Sequence, residues 1–242
     1  MPDVTVQNYP GYLAVPAGAG PWPGVVVIHE AFGLNADIRG QADHLAAEGY
    51  LALAPDLYRG KSWLRCIRGV FRELHAGQGP SFEAIEAARE WLAAREDCTG
   101  RNGVIGFCMG GGFALLCAPR KFSAASVNYG EVPADAIRVL AGSCPIVGSY
   151  GAKDLMGQAH PRRLEAALTA LDVPHDVKVY PGAGHGFMSR RPASLAPLAA
   201  LARLDFKPEA AQDAWRRILA FFGEYLGSED GSGDGSGDGS GD

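Results

Sequence analysis

The run GFCMGG, Gly106 to Gly111, sets Cys108 between glycines in the form GxCxG. It directly follows an apolar stretch, Gly103 to Phe107, and directly precedes a helical stretch beginning near Met109. A side chain at the centre of such a tight strand-to-helix turn is held clear of the backbone, and small flanking residues permit the close approach the turn needs. At a helix N-terminus, free N–H groups and the dipole favour a thiolate, which lowers a cysteine pKa from its reference of about 8.5. Cys108 is therefore a candidate nucleophile, with a buried cysteine in a glycine-rich turn as the plain alternative.

Two further runs supply partners for it. SYGAKD, Ser149 to Asp154, follows one expected strand, and GAGHGF, Gly182 to Phe187, follows the next. The imidazole of His185 can accept a thiol proton and later deliver it to a leaving oxygen, while Asp154 fixes its tautomer and stabilises the imidazolium. Taken singly, His185 reads as a loop histidine and Asp154 as a turn residue or helix cap. Three independent loops that agree on one chemistry favour the functional reading. His29, His44, His75, His160 and His175 lack this placement and read as structural or surface residues.

Apolar, β-branched runs at Val25 to Ile28, Leu51 to Ala54, Val104 to Phe107, Ala124 to Val127, Ile146 to Val147 and Val177 to Tyr180 predict buried strands. Between them lie helical patterns at Ile38 to Glu48, Ser62 to His75, Phe82 to Arg95, Gly110 to Ala118 and Arg162 to Leu171. A last helix, Pro208 to Leu226, opens with proline and spaces Ala211, Trp215, Ile218, Phe222 and Leu226 along one side. Alternating strands and helices imply an α/β domain: a mostly parallel sheet with helices on both faces and ligands beyond the carboxyl ends of its strands. Val4 to Val6 and Tyr12 to Val15 predict a short antiparallel hairpin at one edge. The order nucleophile, acid, histidine is the order used by the α/β-hydrolase fold.

The connection from Gly186 to Lys207, interrupted by Pro192 and Pro197, is long enough to suggest a functional loop. With 242 residues and 47% hydrophobic content the chain supports one core, so a single domain is expected over residues 1–226. From residue 227 to 242 the sequence falls into GSGD repeats that cannot bury a core and are expected to be disordered. The net charge of -5 arises in that tail, since the rest of the chain balances 22 basic against 22 acidic residues. With no basic stripe, neither nucleic acid nor a membrane surface is an expected partner. The N-terminal MPDVTVQNYPGY lacks a basic start and apolar stretch, and no apolar run approaches the ~18 residues that span a bilayer, so a cytoplasmic location is expected. Five cysteines, Cys66, Cys98, Cys108, Cys117 and Cys144, without CxxC or Cys/His spacing, indicate neither a disulfide framework nor a zinc site.

The first core strand ends in HEAFGL, His29 to Leu34. With APDLY at Ala54 to Tyr58, GFCMGG, the GxxD of Gly151 to Asp154 and the GxxHGF of Gly182 to Phe187, the chain resembles the dienelactone hydrolase family. The resemblance spans roughly Val25 to Leu226. It implies a Cys108, Asp154, His185 triad, with Glu30 contacting the thiol in the resting site and modulating it. It also implies an oxyanion hole from the backbone N–H groups of Ala31 and Met109. Tyr58 and Tyr129 are candidates to line the pocket, or else buried tyrosines with packed rings. Substrates of the family carry a carboxylate held by arginines; here Met188 and Ser189 precede Arg190, which makes Arg190 a candidate at a shifted spacing. Arg65, Arg68 and Arg72 read as a solvated helix face.

The function so implied is hydrolysis of small esters or lactones, in the manner of a carboxymethylenebutenolidase, through a thioester and without any metal or organic cofactor. A non-catalytic hydrolase-like domain that binds a small ligand is the alternative, because a fold does not guarantee its usual chemistry. A thiol-based redox protein is a third, although no resolving cysteine is spaced near Cys108 in sequence.

Overall fold

In the computed structural model, which describes residues 3–190 and 206–227, the apolar runs become strands of one sheet. The strands are β1 (Asp3–Val6), β2 (Tyr9–Ala14), β3 (Trp22–Ile28), β4 (Leu51–Pro55), β5 (Cys98–Phe107), β6 (Ala124–Asn128), β7 (Ile146–Gly151) and β8 (His175–Tyr180). Their order across the sheet is β1-β2-β4-β3-β5-β6-β7-β8. β1 and β2 form the expected antiparallel hairpin, which joins the sheet antiparallel to β4; every other pairing is parallel.

The helices are α1 (Ala36–Ala47), α2 (Trp63–Ala76), α3 (Pro80–Ala93), α4 (Met109–Cys117), the short α5 (Ala136–Val139), α6 (His160–Ala170) and α7 (Pro208–Leu226). Because side chains alternate across a strand, each central strand feeds two cores. Val26, Ile28 and Val104 face one core, shared with Phe82 and Ile85 of α3, Phe113 of α4 and Leu164 of α6. Val25, Val27 and Ile105 face the other, shared with Ile38 and Leu45 of α1 and Ile218 and Phe222 of α7. The result is a mostly parallel sheet with helices on both faces, the α/β-hydrolase arrangement.

The differences from expectation lie at element ends. β5 begins at Cys98 rather than Val104, because its first turn of chain is partly exposed and carries no apolar run. β7 continues past Val147 through Gly148, Ser149 and Gly151, all buried although small or polar, so part of SYGAKD belongs to the strand itself. The single turn α5 is too short to show a helical period. Residues 191–205 of the long connection and 228–242 of the tail lie outside the described residues. No helix among the described residues is long and apolar enough to cross a membrane.

Candidate active site

Cys108 stands between the last residue of β5 and the first of α4, with φ 54° and ψ −117°. A positive φ is uncommon for a residue with a Cβ and marks strain that the surroundings must impose. Here the imposing contacts are backbone to backbone. A Cβ on Gly106 would sit 1.9 Å from Gly110 O, and one on Gly110 would sit 2.2 Å from Ile28 O. Only glycines on either side allow α4 to start this close to β3 and β5. The Cys108 N–H donates to Asn128 O at 3.0 Å, which ties the turn to the end of β6. Met109 opens α4, and first-turn N–H groups have no partner within the helix.

The acid and histidine loops are joined with similar closeness. A Cβ on Gly151 would lie 2.6 Å from both Ala183 O and Gly184 O, and Lys153 N–H donates to Ala183 O at 2.8 Å. This packing brings Asp154, three residues beyond β7, against His185, five beyond β8. Asp154 Oδ2 accepts from His185 Nδ1 at 2.8 Å, and its Oδ1 accepts from Met156 N–H at 2.8 Å.

Burial on its own would raise the Asp154 pKa, but the hydrogen bond and charge of His185, helped by Met156 N–H, hold it below the usual carboxylate range. For His185, burial on its own would lower the pKa; the hydrogen bond to Asp154 and the Cys108 sulfur together lift it to about 10. His185 Nε2 is buried without a partner of regular hydrogen-bond geometry, yet Cys108 lies near enough to act on the ring. The edge of Tyr129 packs on the imidazole, with centroids 5.2 Å apart.

The loop after β3 closes the site from the other side. His29 is fully buried and neutral: Nδ1–H donates to Glu30 O at 2.7 Å, Nε2 accepts from Leu57 N–H at 3.1 Å, and burial lowers its pKa. His29 thereby ties this loop to the one after β4. Tyr58, on that second loop, donates its hydroxyl to Ala31 O at 2.8 Å and lies 3.9 Å from Met109 Sδ. It touches both residues expected to form the oxyanion hole. Glu30, 3% exposed, accepts at Oε2 from Ser189 Oγ at 3.1 Å, and Ser189 Oγ lies 3.0 Å from Tyr129 OH.

Tyr58 and Tyr129 are therefore buried with their hydroxyls hydrogen-bonded inside the protein. Arg190 is exposed; its N–H donates to Asp37 Oδ1 at 2.8 Å and its guanidinium stacks 5.0 Å above the Phe206 ring. Arg65, Arg68 and Arg72 are exposed on α2, as expected of a solvated face. Sequence reasoning missed Ser189 and the clamping role of His29. His29 directly follows a buried strand, which hints at burial, whereas nothing in the sequence singles out Ser189. Among the described residues, no group of three or more His, Cys, Asp or Glu side chains could hold a metal ion.

Residues 9–226 match the profile of the dienelactone hydrolase family. A provisionally named carboxymethylenebutenolidase of Azospirillum brasilense is 30% identical, the match covering 94% of this chain and 100% of that protein. One from Yersinia pestis is 30% identical over 90% of this chain and 85% of its own length. Among solved structures, a provisionally assigned dienelactone hydrolase from Klebsiella pneumoniae superposes with a TM-score of 0.73 at 31% identity, covering 90% of this chain and 94% of its own. A dienelactone hydrolase-like promiscuous phosphotriesterase, P91, from metagenomic libraries gives 0.72 at 26% identity, over 90% and 93%. With the sheet order, the strained turn after β5 and a family match that runs nearly the length of the described fold, the chain belongs to the dienelactone hydrolase family.

Proposed function

We propose that the protein hydrolyses small carboxylic esters or lactones with Cys108 as nucleophile, His185 as acid and base, and Asp154 as the group that orients His185. The observation that carries the reading is the position of His185 between the Asp154 carboxylate and the Cys108 turn, with its pKa lifted to about 10 by both. At neutral pH the resting ring is therefore an imidazolium, and the proton it holds at Nε2 is the one given up by the Cys108 thiol. The sulfur, freed of its proton, attacks the carbonyl carbon and forms the C–S bond, and the carbonyl electron pair moves onto oxygen. The N–H groups of Ala31 and Met109 stabilise that oxygen. Collapse breaks the C–O bond, and the proton on His185 passes to the leaving oxygen.

The thioester sulfur is uncharged, so the part of the His185 pKa that Cys108 supplies is lost at this point. The ring becomes a base when one is needed. It takes a proton from water, hydroxide attacks the thioester carbonyl, the C–S bond breaks, and the acid departs from a regenerated thiolate and imidazolium. No step calls for a metal or an organic cofactor.

The test is a screen of small esters, enol-lactones and thioesters with wild type and Cys108→Ala in parallel. Turnover confined to wild type is the expected result. Equal turnover by both proteins would remove Cys108 from the mechanism.

A further inference from the structure

Three strand-end loops meet in a buried chain of hydroxyls that the hydrolytic steps do not use. Glu30 follows β3, Tyr129 follows β6, and Ser189 lies four residues beyond His185; they are 3%, 2% and 1% exposed. The polarity of the chain follows from counting protons. A serine hydroxyl has one proton to give, and Ser189 gives it to Glu30 Oε2 at 3.1 Å. The contact of 3.0 Å between Tyr129 OH and Ser189 Oγ must then run from tyrosine to serine. Burial, and after it the charge of Glu30, pushes the Tyr129 pKa far up, so the phenol keeps the proton it donates. Donors that point in series toward one acceptor polarise one another, and in a dry interior such a chain fixes its acceptor more firmly than a single bond would.

The tyrosine is itself held. Its φ is 42°, its N–H donates to Ser149 O at 2.8 Å, and its ring packs edge-on against His185 at 5.2 Å and Phe187 at 5.6 Å. The hydroxyl is thus delivered from a rigid support that also borders the catalytic imidazole.

We propose that Tyr129 and Ser189 are positioning residues, a directed relay from Tyr129 O–H through Ser189 O–H to the Glu30 carboxylate that holds Glu30 in one orientation on the loop after β3, next to Ala31. This rests on the proposed Cys108 mechanism. Ser189 is the coupling element. It sits on the histidine loop and grips the carboxylate that precedes Ala31, so the His185 and oxyanion sides of the site keep one register.

Tyr129→Phe removes the hydroxyl and keeps the ring against His185, and Ser189→Ala breaks the same chain from its middle. Each is made in wild type and in a Glu30→Ala background, with thermal midpoints measured alongside steady-state kinetics on the best ester. Each single variant is expected to lower kcat roughly tenfold with KM within about twofold and a near-normal midpoint. The double variant Tyr129→Phe/Ser189→Ala is expected to be no worse than Ser189→Ala, and neither change should matter once Glu30 is alanine. Iodoacetamide alkylation of Cys108 should shift in the same direction in all three single variants, which a purely structural role would not produce. The relay is overturned if Tyr129→Phe or Ser189→Ala leaves kcat unchanged in wild type, if it costs as much without Glu30 as with it, or if the loss falls on KM. Turnover that survives Cys108→Ala would instead remove the mechanism on which the relay rests, and the two failures are read from different variants.

Discussion

The Asp154 carboxylate reaches His185 Nδ1 at 2.8 Å while its second oxygen is occupied by Met156 N–H at 2.8 Å, so the carboxylate is held in one orientation toward the imidazole. Asp154→Asn preserves this shape and removes the charge. An amide NH2 placed at Nδ1 would drive the ring proton to Nε2, the wrong tautomer for accepting one there. The expected result is a loss in kcat of about a thousandfold to ten-thousandfold. The His185 pKa should fall as well, because Asp154 is one of the groups that raise it. A loss smaller than tenfold, measured with the same ester, would show that Asp154 does not orient the base.

The His185 pKa also yields a pH dependence whose sign is set by its causes. Burial depresses it, while Asp154 and Cys108 lift it to about 10. The imidazolium therefore persists through neutral pH, and kcat/KM for esters with poor leaving groups should decline on the alkaline side as pH passes through about 10 and the acid is lost. In Cys108→Ala the lifting effect of the sulfur is gone, so the ring should titrate at lower pH than in wild type. Proton NMR of the His185 ring across both proteins measures the difference directly. An unchanged or higher value in the variant would mean that the sulfur and the imidazole do not interact.

Tyr58 offers a test of the oxyanion side. Its hydroxyl holds Ala31 O at 2.8 Å and its ring lies 5.0 Å from the His29 ring, so Tyr58→Phe should leave the packing in place and free the Ala31 loop. If Ala31 and Met109 hold the developing oxyanion, looseness there is felt in the transition state more than in the ground state. The expected outcome is a kcat lower by roughly tenfold with KM little altered and a thermal midpoint within a few degrees of wild type. A change confined to KM would make Tyr58 a substrate contact instead.

The tight turn at Cys108 is legible in sequence because its demands are local: a buried strand, two glycines where backbones touch and a helix directly after. The loops that carry Asp154 and His185 are legible for the same reason, each following a strand at short range. The end of β7 is not, since Gly148, Ser149 and Gly151 are buried by neighbouring strands and helices rather than by their own apolarity. Ser189 is less legible still. Its partner Glu30 is 159 residues away in the chain, and a serine in a loop reads as solvated until the fold closes over it. Arg190, next in sequence, looks the more functional of the two; it stands exposed, with its backbone N–H on Asp37 and its guanidinium over the Phe206 ring. Roles that depend on tertiary closure, like that of His29 between the Glu30 and Leu57 loops, leave little trace in local pattern.

The Tyr129 pKa is pushed up first by burial, then by Glu30, and further by Cys108, so carboxylate and sulfur both bear on one ring in the same small volume. A negative charge in that volume opposes the build-up of a second one, and Glu30 should therefore restrain the reactivity of the Cys108 sulfur in the free enzyme. Glu30→Gln keeps the side-chain length and an oxygen able to accept from Ser189, and removes the charge. Alkylation of Cys108 by iodoacetamide near neutral pH is expected to hold or to rise by up to about tenfold, while turnover of the best ester falls. The two effects run in opposite directions, and that separates the restraining role from its rivals. Partial unfolding would expose every cysteine and lower turnover, but it would also lower the thermal midpoint and label Cys98 and Cys117, which are buried in the native fold. A glutamate of purely structural importance would alter the midpoint and leave alkylation of folded protein unchanged. If alkylation of the folded variant slows sharply, Glu30 acts as a base toward Cys108 and does not restrain it.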